Sequence, residues 1–200
     1  MRDTEILTPE EVLERYTRGP KTGVFSDGSC EGNPGPGSWA FVWVENDRIV
    51  DQSSGISAKT TNNRMELRAL IEAYRSLPED HEITVYSDSN LCVKTMNEWV
   101  EGWERRGWRR RTGPIANLEL VRELYALVNS HPQVSLRWIK AHDGSRWNEY
   151  ADAHCDGASP HSDARFRGPA PRRTERYASG AEPRNLTPEH EFAPSRYATW

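Results

Sequence analysis

Residues 25–41 read FSDGSCEGNPGPGSWAF. A short apolar approach, Gly23-Val24-Phe25, leads to Asp27, and the next ten residues hold four glycines and two prolines. A turn needs one or two such residues. Six of them directly after a carboxylate raise the question of what this segment lies against. Beyond it, WAFVWV at 39–44 is a run of aromatic and β-branched residues, which favours a strand. Asn46-Asp47 is a turn signal, and 48–55 alternates well enough for a further strand. Segments 23–26, 39–44 and 48–55 thus read as an antiparallel meander, with Asp27 where the first strand ends.

The period then becomes helical. Leu67, Leu70, Ile71, Tyr74 and Leu77 fall at i, i+3, i+4, i+7 and i+10. Thr61 or Asn62 can cap the start of this helix and Pro78 stops it. A fourth strand follows at 83–87 (ITVYS), a helix at about 89–100 and a basic, Trp-rich segment. A helix over 118–128, a fifth strand at 134–140 and a last helix at about 147–155 complete the pattern. The expected architecture is α/β: a five-stranded mixed sheet flanked by helices, without internal repeats.

The ends differ from this middle. Residues 1–20 read as an appendage with a short helix, in which Thr8 and Glu11 can form a capping box and Pro9 suits the first turn. Val12, Leu13 and Tyr16 give that helix one apolar side, and Gly19-Pro20 ends it. Residues 160–200 carry six of the thirteen prolines and few aliphatic side chains, so they are expected to be mostly disordered, with Phe192, Tyr197 and Trp200 as candidate docking residues. The domain itself is expected over 21–159.

The net charge of −4 excludes a chain that is basic throughout, so any nucleic-acid contact must use a local patch. Cys30, Cys92 and Cys155 are an odd count without CxxC spacing, which argues against a disulfide framework or zinc site and for a reducing compartment. No apolar run approaches a membrane span, and the first residues, MRDTEILTPEEVLERY, are too polar for a signal peptide. The expectation is a soluble, cytoplasmic protein.

The chemistry lies in the acids. Asp27 ends the first strand and Asp88 the fourth, in YSDSN. If those strands are neighbours, both carboxylates stand at one rim of the sheet, where ligand sites of such sheets gather. Glu66 lies one turn before Leu70 and extends the inward stripe of its helix. A charge there is costly unless paired or bound to metal. Asp152 is placed near the start of the last helix, where the dipole favours a negative charge. Taken singly, Asp27 and Asp88 read as ordinary turn acids and Asp152 as a dipole partner. Taken together, converging carboxylates repel, and a hard divalent cation such as Mg²⁺ resolves the conflict. A pair of such ions about 3.5–4 Å apart can serve phosphodiester displacement.

His142 sits on a Gly-containing loop, ten residues before Asp152, and can move a proton or stand as an exposed spectator. Trp99, Trp103 and Trp108 interleave with Arg105, Arg106, Arg109, Arg110 and Arg111, a local positive footprint in an acidic chain. Trp99 and Trp103, four apart, share a helix face and can simply pack. Trp108, flanked by Gly107 and arginines, is the better candidate for contact.

The motifs FSDGSCEGNPGPGSWAF, TTNNRMELRALIEA, YSDSN, WVEGWERRGW and HDGSRWNEYAD, in this order over residues 22–158, resemble type 1 ribonuclease H. Those enzymes cut the RNA strand of RNA–DNA hybrids. The resemblance implies the same five-stranded fold and a hybrid as partner. It implies that Asp27, Glu66, Asp88 and Asp152 are metal-binding catalytic acids and His142 a mobile-loop histidine. It implies two Mg²⁺ ions, with Mn²⁺ as a substitute, and products with 5′-phosphate and 3′-hydroxyl ends. In the family the Gly/Pro-rich turn lies against the hybrid backbone, which assigns substrate contacts to Gly28, Ser29, Cys30 and Asn33. Asn62 and Asn63 match minor-groove contacts. The segment with Trp99, Trp103, Trp108 and Arg109–Arg111 resembles the basic protrusion that grips the DNA strand. Asn90 stands where many relatives carry glutamine, which shortens a substrate-binding amide, and Asp143 adds a negative charge beside His142. A monomer is expected. An integrase- or transposase-type core is the alternative enzyme, against which TNNRMEL, the basic segment and the HxxxxxNExxD-like loop argue. A non-catalytic hybrid-binding module is another, against which retention of all four acids argues.

Overall fold

The structure is a computed structural model and describes residues 7–158. Its elements are α1 (Pro9–Arg15), β1 (Gly23–Cys30), β2 (Gly35–Glu45), β3 (Arg48–Thr60), α2 (Asn62–Ser76), β4 (Ile83–Ser87), α3 (Asn90–Lys94), a π-helical stretch Thr95–Trp99, α4 (Val100–Arg105), α5 (Leu118–Ser130), β5 (Val134–Trp138) and α6 (Arg146–Ala158). The sheet order is β3-β2-β1-β4-β5. β1, β2 and β3 pair antiparallel, whereas β1–β4 and β4–β5 pair parallel. This is the five-stranded mixed sheet that the sequence pattern predicts.

Both faces of the sheet are covered, which explains why WAFVWV is apolar throughout instead of alternating with polar residues. Phe41 and Trp43 point to the layer built by α2, the α3–α4 run and α5, where they meet Leu67, Leu70, Ile71 and Leu124. Val42 and Val44 point to the other face and meet Trp147, Tyr150 and Ala151 of α6, with Val12 of α1 beside them. The helical stripe Leu67, Leu70, Ile71, Tyr74 and Leu77 is buried, as its spacing predicts. The Thr8–Glu11 capping box forms at the start of α1, with Pro9 in its first turn.

Several boundaries differ from expectation. β1 runs on through Gly28, Ser29 and Cys30, because β2 continues to pair with it as far as Cys30↔Gly37. Its pairing with β4 stops at Ser26↔Ser87, so the strand outlasts its parallel neighbour. β3 extends to Thr60, and β5 ends at Trp138. The helix expected to end near residue 100 continues to Arg105, because Trp103 still packs against the core. Thr61 occupies the N-cap of α2 but makes no side-chain cap bond. The acceptor comes from a distant residue: the Asn62 N–H donates to Asn33 Oδ1 at 3.3 Å. The expectation of disorder over 160–200, with its closing aromatic residues, falls outside the described residues. No helix among the described residues is long and apolar enough to cross a membrane.

Candidate active site

The register places the first two acids. Ser26 and Ser87 are the last parallel partners of β1 and β4, so Asp27 comes next on β1 and Asp88 directly after the end of β4. Asp27 pairs with Ala40 of β2, and the carboxylates of Asp27 and Asp88 meet at the carboxyl end of β4.

The third acid arrives because Gly28 has no side chain. A Cβ on Gly28 would lie 2.3 Å from the backbone nitrogen of Glu66 and 2.3 Å from the carbonyl carbon of Met65. The first turns of α2 therefore press directly on β1. Glu66 is 6% exposed, and its Oε2 is buried without a hydrogen-bond partner. Carboxylate oxygens of Asp27, Glu66 and Asp88 lie within 4.8 Å of one another.

Such a cluster holds protons more tightly than isolated acids do. Burial pushes Asp27 well above the usual carboxylate range, and the charges of Asp88 and Asp152 push it further, against a hydrogen bond from Cys155. Glu66 is raised by burial and then by Asp27, Asp88 and Asp152. Asp88 is raised by burial, which a hydrogen bond from Asn148 partly offsets. Asp152 is raised to about 6 by burial and by Asp156, against the attraction of His142.

The fourth acid stands slightly apart. Asp152 groups most closely with His142 and Glu149, whose ligand atoms also lie within 4.8 Å of one another. Its field nevertheless reaches Asp27 and Glu66, so the two groups form one electrostatic site. Asp152 lies in the second turn of α6, because the helix begins at Arg146 and not near the acid itself. Dipole compensation at a helix start therefore does not account for it. His142 is exposed, with backbone φ of 49°. Its Nδ1 lies 3.5 Å from Asp152 Oδ2 and 3.9 Å from Glu149 Oε2.

The other sequence-predicted residues fall in three places. Gly28 is buried under α2, so its side in contact with the molecule is the one that brings Glu66 close. Ser29 and Cys30 are half-buried at the end of β1, with Ser29 Oγ 3.2 Å from Ser38 Oγ and Cys30 Sγ 3.5 Å from the Thr60 carbonyl. Asn33, Asn62, Asn63 and Asn90 are exposed on turns and helix starts near this rim. The Trp–Arg segment is a separate protrusion. The rings of Trp99 and Trp103 lie 6.1 Å apart, and Trp99 is 37% exposed. Trp108, the better candidate for contact by sequence, is half-buried and packs edge-on against Tyr125 with Arg122 over its face. Arg109, Arg110 and Arg111 are exposed.

Sequence reading missed four neighbours of the acids. Glu149 is buried and accepts the Gly144 N–H at 2.9 Å. Asp156 adds a further charge, Asn148 bonds Asp88, and the Trp138 indole N–H donates to the Asp88 carbonyl at 3.0 Å. The spacing 149, 152, 156 places three acids on one face of α6, a signal present in the sequence once the helix is known to start at Arg146.

A family model described as RNase H matches residues 20–159. The chain is 40% identical over 148 residues to a Ribonuclease H of Parvibaculum lavamentivorans, covering 74% of this chain and 91% of that protein. It is 46% identical over 131 residues to a Ribonuclease H of Ralstonia nicotianae, covering 65% and 85%. Among solved structures it is similar to LC9-RNase H1, a type 1 RNase H with the type 2 active-site motif, at a TM-score of 0.58 and 34% identity over 72% of this chain and 74% of the other.

Proposed function

The chain belongs to the ribonuclease H family, and from this we propose how its own residues cut the RNA strand of an RNA–DNA hybrid. It is an endoribonuclease of the divalent-metal-dependent type, with residues 21–159 as the working domain. The observation that carries the reading is the buried, partnerless Glu66 Oε2 within a group of three carboxylates. An acid in that position needs a cation or a proton. The donor set is all oxygen, without a cysteine or histidine cluster at Asp27–Glu66–Asp88, which fits a hard cation. Asp27, Glu66, Asp88 and Asp152 would hold Mg²⁺, as two ions, with Mn²⁺ as a substitute. When bound, the metal neutralises these acids and supplies Lewis-acid activation of water and of the leaving oxygen.

The protein supplies the rest. Gly28 and the register of β1 and β4 fix three carboxylates on stiff elements, so little reorganisation is needed at the reacting phosphate. Asp152 orients His142 through Nδ1, leaving Nε2 to give a proton to the departing 3′-oxygen or take one from water. Products then carry 5′-phosphate and 3′-hydroxyl ends. Ser29, Cys30, Asn33, Asn62, Asn63 and Asn90 line the rim where the minor groove of the hybrid would lie, and 2′-hydroxyls there mark the RNA strand. Trp99, Trp103 and Arg109–Arg111 would meet the DNA strand as a stacking and charge platform. We place the enzyme in a reducing cytoplasm, a reading supported by free Cys30, Cys92 and Cys155, and take it to act as a monomer.

The test is cleavage of a labelled hybrid in Mg²⁺, in EDTA and with Asp88→Asn. Cleavage is expected only for the unaltered chain in Mg²⁺. Binding without cleavage in all three would identify a hybrid-binding module instead, and cutting of duplex DNA would identify an integrase-type enzyme.

A further inference from the structure

The N-terminal segment lies against the loop that carries His142. α1 is anchored first: Val12 is 2% exposed and packs with Trp147, Tyr150 and Ala151 of α6. The Arg146 side chain donates to the Leu13 carbonyl at 3.3 Å, which ties the two helices at their ends. The chain then leaves α1 and runs beside the loop. Arg18 and Ser145 form a parallel bridge, and the Arg146 N–H donates to the Arg18 carbonyl at 2.8 Å. The Arg18 guanidinium donates to the carbonyl of Asp143, the residue directly after His142, at 3.2 Å. Gly19, at φ of 101°, completes the approach: a Cβ there would lie 2.4 Å from Ser145 Oγ and 3.3 Å from Ser145 Cα.

The loop is thus held from two sides. From α6, the Glu149 carboxylate accepts the Gly144 N–H at 2.9 Å. From the N-terminal segment, Arg18 takes the preceding carbonyl and pairs with the following residue. Lys140 pairs with the Asp143 carboxylate at 3.0 Å, which offsets that charge beside His142. Between these supports stands His142, whose left-handed backbone needs just such external fixing.

We propose that Arg18 is a positioning residue for the reaction: with Gly19 it straps the loop 142–145 so that His142 stays beside Asp152. This rests on the role given to His142 above. Arg18 touches neither substrate nor the acids, and it acts only through the loop backbone. Because His142 and Asp143 are exposed, and Glu149 holds the loop only from the other side, the loop opens more readily without the strap, and turnover suffers while hybrid binding at the acids and the basic protrusion does not.

The test compares the full chain with Arg18→Ala, Arg18→Lys, His142→Ala and the Arg18→Ala/His142→Ala pair. Steady-state cleavage of a hybrid gives kcat and KM, and amide hydrogen exchange over 142–146 reads the loop directly. Arg18→Ala is expected to lower kcat about tenfold with KM unchanged, the scale of a small misplacement of a catalytic group, and to speed exchange at Gly144 and Arg146. Arg18→Lys, which keeps one donor for the Asp143 carbonyl, should recover most of both. In the His142→Ala background the loss of kcat should vanish while the faster exchange persists. Unchanged exchange in Arg18→Ala overturns the strap. Faster exchange with full kcat, or a kcat loss of the same size in the His142→Ala background, overturns its link to catalysis. His142→Ala with full turnover would instead remove the histidine from the mechanism, and the exchange data would still read the strap on its own.

Discussion

Gly28 controls the distance between β1 and α2, and through it the distance between Asp27 and Glu66. Alanine at this position would place a methyl 2.3 Å from the Glu66 backbone, which neither strand nor helix can absorb without moving. Gly28→Ala is expected to cost about 1–3 kcal/mol of stability and to lower kcat, because the carboxylates separate. Urea denaturation and steady-state cleavage check this, and a variant with wild-type stability and turnover would show that the contact is slack. The acids themselves predict a pH dependence. Asp27, Glu66 and Asp152 hold protons more tightly in the folded chain than in the unfolded one. Without metal, the stability they contribute is present at low pH and is lost as pH rises through the Asp152 value of about 6. In EDTA, Tm should therefore fall as pH rises from about 4 to about 6, less steeply in Asp27→Asn, and Mg²⁺ should remove the fall. A flat profile in EDTA would mean that the cluster is already neutralised within the protein. At this scale the sequence was informative: Asp27, Glu66 and Asp88 each stand beside a strong backbone signal. Glu149 and Asp156 were not recognised, since an acid on a helix is ordinary until its neighbours in space are known.

At the scale of elements, one hydrogen bond joins the Gly/Pro-rich turn to the helix behind the rim. Asn33 caps α2 from across the Gly/Pro-rich turn. Its replacement by alanine should cost about 1 kcal/mol, measured as a shift in thermal unfolding, because a helix N–H loses its acceptor. This cap answers part of the question raised by the turn: the segment lies against the start of the helix that delivers Glu66. The basic protrusion after α4 stands apart from this rim. Replacing Arg109, Arg110 and Arg111 with glutamine should reduce the slope of log K against log salt for hybrid binding by up to about 3. An unchanged slope would remove these arginines from the interface. Strand and helix identities were legible from period alone, but ends were not. β1 outruns its expected end because β2 goes on pairing with it, and α4 outruns its own because Trp103 finds core to pack on. Both are tertiary effects that no local pattern states. The same holds for Trp108, whose flanking glycine and arginines suggested contact and which Tyr125 and Arg122, from a helix further along the chain, half cover.

At the scale of the whole molecule, convergence of the acids depends on one topological fact, that β4 lies beside β1. The sequence pattern left this as an assumption. The strand register bears it out. Once β4 is in place, α2 and α6 must pack on opposite faces of the sheet, and each brings its acid to the same rim. The described fold contains all the residues assigned to catalysis, so removal of 160–200 should leave kcat and KM on a hybrid unchanged. A large loss would make the tail part of the enzyme. The arrangement also opposes function to stability, since a site that gathers buried like charges for a metal is destabilising without one. The most direct measurement is kcat for Glu66→Gln against the unaltered chain, at saturating hybrid and Mg²⁺, alongside Tm in EDTA. A fall in kcat of about 10²–10³-fold together with a higher Tm is expected, because the buried charge serves cleavage and burdens the fold. Full turnover in Glu66→Gln would contradict the carboxylate centre proposed here.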